Sequence, residues 1–126
     1  MAEGGQLQQL ANYGFRSVGV WRTPECRVHH PSWLHGRPGI YAFVVSGEVR
    51  YVGKAGRLHR RLRRYSNRCF GKPGGSELRH CHREIVLSVR SSEIVHVYAM
   101  LDDGRESLAQ QERKFIDEFK PAWNQK

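Results

Sequence analysis

One stretch, residues 39–65, constrains the fold of this chain more than any other. It reads GIYAFVVSGEVRYVGKAGRLHRRLRRY and predicts two short strands joined by a tight turn, a bend with glycine, and a strongly basic helix. The first strand is apolar on both faces, so we expect it to be central in a sheet and covered on both sides. The strands carry Tyr41 and Tyr51, and the helix carries Arg61 and Tyr65, four residues apart.

The length of the turn decides whether the two strand tyrosines can act together. Side chains alternate along a strand, and cross-strand partners share a face. A two-residue loop would therefore place Tyr41 and Tyr51 on opposite faces of the hairpin. A three-residue loop at 46–48, or a bulge, would place them on the same face. If the tyrosines share a site, the hairpin must be of the second kind, and we expect the odd-length turn.

The predicted helix begins near Arg57 and combines an apolar stripe with dense positive charge. Leu58, Leu62 and Tyr65 recur at helical spacing and form the stripe that faces the core. Seven of the chain's 21 Lys and Arg residues fall within residues 54–68. Like charges at this density repel one another and destabilise the helix, so they favour an anionic partner.

The charge of the whole chain points the same way. Its 126 residues carry a formal net charge of +9. A single domain this basic is expected to bind nucleic acid, and the alternative is a basic protein that its charge merely keeps soluble. Three cysteines without framework spacing predict reduced thiols. Since no signal-peptide pattern and no apolar run of membrane-span length is present, we expect a cytoplasmic protein outside the membrane.

The segments around this stretch complete the predicted domain. Residues 1–38 are expected to form an N-terminal extension that packs on the core, with residues 15–21 as a strand or an extended arm. The remaining predicted elements are helices over 77–89 and 106–119 and a third strand over 93–101.

Four potential metal ligands cluster in the N-terminal extension: Cys26, His29, His30 and His35. Their spacing matches no four-ligand zinc pattern and no second half of such a site follows. We therefore expect solvated loop histidines rather than structural zinc.

A glutamate occupies the apolar face of the last predicted helix. Glu112 stands four residues after Leu108 and three before Phe115, in the middle of the apolar stripe. A carboxylate is almost never buried unpaired, because its desolvation is costly. Either Arg61 or another cation pairs Glu112 structurally, or Glu112 is a metal ligand, and the residues alone leave both open.

Together these residues suit the hydrolysis of a phosphodiester. The reaction needs an activated water, stabilisation of charge on the phosphoryl oxygens and help for the departing oxygen. A hard divalent cation such as Mg²⁺ supplies the last two, and Glu112 implies a one-metal site completed by water and phosphate. Arg61 offers a donor fork that suits phosphate. A phenol titrates at about pH 10, so Tyr41 or Tyr51 would need nearby cations, such as Lys54, to favour the phenolate.

The combination of GIY, YVG ten residues on, an arginine and a tyrosine, a distant glutamate and the asparagine of PAWN resembles the GIY-YIG nuclease superfamily. It is most similar to the nuclease domain of the excision-repair protein UvrC and to small stand-alone bacterial members. The resemblance runs from Gly39 to Asn124. It implies an α/β (α+β) domain over residues 39–126, with a three-stranded antiparallel sheet flanked by helices. The implied activity is a DNA endonuclease that uses one Mg²⁺ or Mn²⁺ ion.

The same resemblance implies a role for each residue of the constellation. Tyr41 and Tyr51 are the paired tyrosines, one of which acts as or assists the general base. Arg61 contacts the scissile phosphate and Glu112 binds the metal. Tyr65 stands where many members have histidine, so the base assignment among the three tyrosines stays open. The residues expected to support the site or bind substrate are Lys54, Arg57, Arg60, Arg64 and Asn124, and Asn124 also ties the C-terminal end to the site.

Two other functions stay open at this point. A nucleic-acid-binding module of the same fold would bind DNA in a salt-sensitive way without cutting it. An interaction protein that recruits or inhibits a nuclease is favoured only by Trp21 and Trp33, which we expect to pack against the sheet instead. Target choice would come from residues 1–38, the basic helix, the loop at 66–76, a homodimer or a protein partner.

Overall fold

A computed structural model of the chain describes residues 2–22, 25–28, 31–66 and 79–124. Residue 77, where the second predicted helix starts, lies outside the described residues, as do His29, His30 and most of the loop at 66–76. The described elements, in chain order, are α1 Ala2–Tyr13, β1 Arg16–Arg22, β2 Glu25–Val28, β3 Gly39–Val45, β4 Glu48–Ala55, α2 Leu58–Ser66, α3 Arg79–Arg90, β5 Val95–Leu101 and α4 Leu108–Phe119, with short 3₁₀ turns at Ser32–Leu34 and Ala122–Asn124.

The described strands form one antiparallel sheet in the order β2-β1-β5-β3-β4. The predicted fold class is confirmed, but the three predicted strands make up only part of a five-stranded sheet. β1 pairs with β5 from Arg16 opposite Ala99 to Trp21 opposite Val95. Residues 15–21 are therefore mostly strand rather than a packing arm, because a sheet that ended at β5 would leave the backbone groups of its outer edge unpaired.

Strand β3 lies inside the sheet, between β5 and β4, as its apolar sequence predicts. All seven of its residues are buried, and alternate side chains enter two separate apolar clusters. Tyr41, Phe43 and Val45 face the cluster that includes residues of α2 and α3. Ile40 and its alternates face the cluster that includes residues of α1 and α4. The sheet is thus covered by helices on both faces, with α2 and α4 on opposite sides of it.

The β3–β4 hairpin has a two-residue turn, so the predicted three-residue turn is wrong. Ser46 and Gly47 both have positive φ, 52° and 74°, as a type I′ hairpin turn requires. The pairing then shifts between Val44, opposite Val49, and Phe43, opposite Tyr51. Residue 50 is the extra residue of this bulge. The bulge returns Tyr51 to the face of Tyr41, which is the outcome that a shared site requires.

The helix that carries Glu112 is fixed at both ends by local hydrogen bonds. Ser107 accepts the backbone N–H of Gln110 at 3.1 Å, and the Gln110 side chain accepts the backbone N–H of Ser107 at 3.0 Å. This capping box explains why α4 begins two residues later than predicted. The helix ends at Phe119 as predicted, and Lys120 takes the left-handed conformation that leads into Pro121. No helix within the described ranges is long and apolar enough to cross a membrane.

Candidate active site

Two glycines in the motif strands allow other groups to approach the backbone closely. A Cβ at Gly53 would lie 2.5 Å from Cζ and from the hydroxyl oxygen of Tyr41, and 2.9 Å from Cε2 of Tyr51. A Cβ at Gly39 would lie 2.1 Å from the backbone carbonyl oxygen of Met100. Only glycine therefore lets the two tyrosine rings lie over β4 and lets β3 pair with β5 at this point.

The three predicted catalytic tyrosines meet on the face of the sheet that α2 covers. Tyr41 and Tyr65 are fully buried, and their hydroxyl oxygens lie 3.1 Å apart in a hydrogen bond. The Tyr51 ring centroid lies 6.0 Å from that of Tyr41 and 5.6 Å from that of Phe43, on which Tyr51 stacks. Tyr51 is only half-buried, so part of its side chain remains at the surface.

Asn124 holds the middle of the edge strand β4. Its side-chain amide nitrogen donates to the carbonyl oxygen of Val52 at 2.9 Å, and its side-chain oxygen accepts the N–H of Val52 at 2.8 Å. Val52 stands between Tyr51 and Gly53, so this pair of bonds fixes the backbone that carries both. Both polar groups of the Asn124 side chain are used within the protein, which favours the predicted tie to the site over contact with substrate.

An open groove of about 500 Å³ follows α2 from the end of β4. Arg61, the predicted phosphate contact, lines it and is half-buried. None of the described residues that line the groove is acidic. Lys54 is exposed on β4, one residue before the groove begins. The lining residues are Ala55, Gly56, Arg57, Arg60, Arg61 and Arg64, so the groove collects four predicted site residues.

Glu112 lies on α4, which packs against β4 and β3. It is half-buried, and no hydrogen bond or ion pair joins it to another residue of the described ranges. Structural pairing with Arg61, one of the two alternatives, is therefore not formed in this part of the chain. The described residues also contain no group of three or more His, Cys, Asp or Glu side chains that could hold a metal ion. A cation at Glu112 would need oxygens from water or substrate as its other ligands.

No sequence signal indicates that the polar residue before Glu112 is buried. Gln111 is 2% exposed, and its amide nitrogen donates to Asp102 Oδ1 at 2.6 Å and to the carbonyl oxygen of Glu106 at 2.9 Å. The bond from Gln111, followed by one from the backbone N–H of Gly104, lowers the pKa of Asp102. Asp102 reads in the sequence as a turn residue only, although it also holds the start of α4 in place.

A pair of stacked histidines was also missed. The rings of His35 and His59 lie 4.1 Å apart at an interplanar angle of 25°. His35 follows the first 3₁₀ turn and His59 belongs to α2, so 24 residues separate them in the chain. Because the contact is tertiary, the histidine spacing that was tested against zinc patterns does not reveal it.

Comparisons with known proteins agree with this fold. A family model described as a UvrC-like GIY-YIG domain matches residues 37–125, well over half of the chain. A search of curated proteins finds no match.

Solved nuclease structures share the fold. A mutant of bacteriophage T4 EndoII is 21% identical, with a TM-score of 0.67 over 94% of this chain and 98% of that one. The GIY-YIG N-terminal endonuclease domain of UvrC from Thermotoga maritima, bound to its catalytic divalent cation magnesium, is 24% identical, with a TM-score of 0.52 over 72% of this chain and 86% of that one. A point mutant of the same domain, bound to its catalytic divalent cation, is 22% identical, with a TM-score of 0.53. Since the family match spans residues 37–125 and the fold agrees, this chain belongs to the UvrC-like GIY-YIG domain family.

Proposed function

We propose that this protein is a divalent-metal-dependent endonuclease that hydrolyses phosphodiester bonds of DNA. The observation that carries the proposal is Glu112, a half-buried carboxylate without an ion pair among the described residues. A partly exposed carboxylate with no partner among the described residues can bind a cation that is not part of the chain. The family membership and the fold shared with known endonucleases support the same activity.

The first groove, which runs along α2 and includes Arg61, is proposed to hold the DNA backbone. A guanidinium is always charged and presents a planar set of donors that fits a phosphate. We assign Arg61 to the scissile phosphate because its partial burial restrains its position. The exposed cations around it, Lys54, Arg57, Arg60 and Arg64, are proposed to contact neighbouring phosphates, since they lie in or next to the same groove.

The burial of the tyrosines divides their proposed roles. Tyr51 keeps part of its side chain at the surface, so it is the tyrosine we place against the attacking water or the substrate. Tyr41 and Tyr65 are fully buried and joined through their hydroxyls. We propose that these two hold the position of Tyr51, because the Tyr41 ring lies next to the Tyr51 ring. The general base is then Tyr51 or a water that Tyr51 orients.

The residues present fit a single hard cation. Carboxylate oxygen is the ligand that Mg²⁺ and Mn²⁺ prefer, and Glu112 supplies it. When bound, such an ion supplies stabilisation of negative charge on the phosphoryl and departing oxygens. With one protein carboxylate the ion would keep several waters, as Mg²⁺ usually does.

The N-terminal residues are proposed to belong to the same structural unit. β1 pairs with β5, and Trp21 packs at 4.9 Å from Phe43 and 6.1 Å from Tyr65 between ring centroids. Residues 1–38 would then be an extension that completes the sheet of the domain at 39–126. A cytoplasmic location is proposed from the three cysteines, whose spacing suits no disulfide framework. Target choice through a homodimer or a protein partner belongs to the same proposal.

Cleavage of a panel of DNA substrates tests the proposal. Supercoiled plasmid, linear duplex, branched DNA and single strands would each be incubated with Mg²⁺, with Mn²⁺ and with a chelator. We expect products with at least one substrate that require the metal. Salt-sensitive binding without any metal-dependent product would instead establish the non-cleaving DNA-binding module, and an absence of DNA binding would favour a protein partner.

A further inference from the structure

A second groove lies on the other side of the same arginines. It has a volume of about 450 Å³ and opens along the face of α2 that the stacked histidines occupy. Arg57 and Arg60 line both grooves, so they form a shared ridge between them. We name this the histidine groove, and its lining residues are His35, Gly36, Arg57, His59, Arg60 and Arg63.

The histidine groove is built from two segments that the backbone holds together. The N–H of Leu58, at the start of α2, donates to the carbonyl oxygen of Arg37 at 2.9 Å. The N–H of His35 donates to the carbonyl oxygen of Ser32 at 3.2 Å, which closes the turn before the groove. The stack of His35 on His59 at 4.1 Å then joins the two segments through side chains. The position of the imidazoles therefore follows from the fold rather than from a chance surface contact.

The charge of this region is almost entirely of one sign. Residues 31–66 contain eight Lys and Arg residues and a single acidic residue, Glu48. Glu48 is bound to Arg50 at 2.6 Å, near the hairpin turn. Within the described ranges, no carboxylate forms an ion pair with Arg57, Arg60 or Arg63. Cations held side by side without counter-charges repel one another, so an anion bound in the groove would relieve this repulsion.

We propose that the histidine groove binds the phosphodiester backbone of the substrate DNA beyond the site of cleavage. The inference rests on the proposed function, which makes DNA the substrate of the first groove. Arg57 and Arg60 line both grooves, so one strand that follows them passes from the scissile phosphate into the histidine groove. Arg63 supplies further charged donors and the stack of His35 on His59 adds two polar rings to the lining, which is the chemistry of backbone contacts. No base contact is needed, so the groove adds affinity rather than sequence preference.

DNA affinity, measured without cleavage, tests the inference. The Glu112→Gln protein would be titrated into labelled duplex DNA over a series of salt concentrations. On this background, Arg63→Gln removes one charge from the histidine groove. We expect the slope of log affinity against log salt to fall by about one and affinity at physiological salt to fall about five-fold, as loss of one phosphate contact predicts. The double change His35→Ala/His59→Ala removes the two stacked imidazoles from the groove, so affinity should fall about two- to ten-fold.

A matched control and a length series make the outcomes distinct. Arg105→Gln removes the same charge from an exposed arginine that lines neither groove, and its effect is expected to be smaller than that of Arg63→Gln. A duplex too short to leave the first groove should bind all these variants alike. If Arg63→Gln matches Arg105→Gln on long DNA, the histidine groove is not a DNA site, and the proposed function stands. If no protein of the set binds DNA, both proposals are overturned. Thermal unfolding of each variant verifies that it is folded. If the double histidine variant does not fold, the comparison of Arg63→Gln with Arg105→Gln alone decides the inference.

Discussion

At the scale of single residues, the YVG motif reflects steric constraints as well as the chemistry of its tyrosine. Gly53 is the last residue of YVG, and the rings of Tyr41 and Tyr51 occupy the volume that a side chain would need. The sequence predicts the tyrosines as site residues but assigns no separate role to Gly53. Its role is tertiary, because it depends on a ring from the neighbouring strand, and no local signal shows that.

Replacing Gly53 by alanine should disturb the tyrosine cluster. The new Cβ would lie 2.5 Å from Tyr41 and 2.9 Å from Tyr51, and the buried Tyr41 ring has no room to move. We expect Gly53→Ala to lower the free energy of unfolding by about 1–3 kcal/mol, the usual effect of overpacking, as measured by urea denaturation. Gly56→Ala is the matched control, since a Cβ there meets nothing within 4 Å, and it should change stability by less than about 0.5 kcal/mol. Equal stability of the two variants would contradict this reading of Gly53.

At the scale of elements, the hairpin places Tyr41 and Tyr51 on one face as predicted, although its turn has two residues rather than the predicted three. The sequence requires Tyr41 and Tyr51 to share a face, and the structure meets that requirement with a bulge at residue 50 rather than a longer turn. Ser46 adopts φ of 52°, which serine takes uncommonly, so residue preference alone did not predict the two-residue turn. The alternation of side chains shows that one extra residue is needed between Tyr41 and Tyr51. It does not show whether that residue lies in the turn or in a bulge.

The edge strand β4 depends on Asn124 for the position of its middle residue. Asn124→Ala removes both bonds to Val52, and no other strand pairs with this edge in the described sheet. We expect the free energy of unfolding to fall by about 1–3 kcal/mol and cleavage to fall with it, because Tyr51 and Gly53 flank Val52. Urea denaturation and a nicking assay measure the two effects.

Asn12→Ala is the control for that change. Asn12 is exposed on α1 and bonds only to the exposed Gln8 side chain among the described contacts, at 3.0 Å. Its replacement should alter stability by less than about 0.5 kcal/mol. If Asn124→Ala were no more destabilising than Asn12→Ala, the bonds to Val52 would not support the edge strand.

The start of α4 should show a pH dependence that comes from Asp102. The Gln111 amide and then the Gly104 N–H lower the pKa of Asp102 in the folded state. Stability from this carboxylate is therefore present above its unfolded pKa, about 3.9, and is lost as the pH falls through the folded pKa. We expect Asp102→Asn to be less stable than wild type at neutral pH, and the difference to shrink below about pH 4, in urea denaturation at both pH values.

Asp103→Asn separates this local effect from the general effect of charge. It removes the same negative charge one residue away, from a side chain that bonds to the backbone N–H of Arg105 at 2.8 Å. The free energy of unfolding of wild type should exceed that of Asp102→Asn at neutral pH only. If the difference stayed constant down to about pH 3, Asp102 would not be the source of the pH dependence.

At the scale of the whole molecule, the sequence predicted strands β3, β4 and β5 better than it predicted β1 and β2 at the other edge of the sheet. The hairpin strands, the third strand and the flanking helices carry strong periodic signals, and each is present, with the third strand described from Val95 and the second predicted helix from Arg79. The sequence allows residues 15–21 to be a strand or an extended arm, because the pairing of β1 depends on the free edge of β5, which only the assembled sheet provides. The stack of His35 on His59 escaped notice for the same reason.

Charge is distributed unequally over the molecule. Six of the 12 acidic residues fall within residues 102–118, around α4, whereas residues 31–66 contain one. The helices α2 and α4 lie on opposite faces of the sheet. A polyanion is therefore attracted to the α2 side, where both grooves open, and its approach should weaken as salt rises. Glu112 is the acidic residue of α4 to which the proposed function assigns the metal, and α4 packs against β4, the strand that carries Tyr51.

The nicking rate of supercoiled plasmid in Mg²⁺ tests the central claim most directly, with wild type, Glu112→Gln and Glu106→Gln compared. Glu106→Gln is the control, because it removes the same charge from an exposed side chain just before α4. We predict that Glu112→Gln slows nicking by about 10²- to 10³-fold, as loss of one electrostatic contact at a reacting group does. Glu106→Gln should nick at close to the wild-type rate. If wild type and Glu112→Gln give identical products at the same rate, the proposed one-metal nuclease site is wrong.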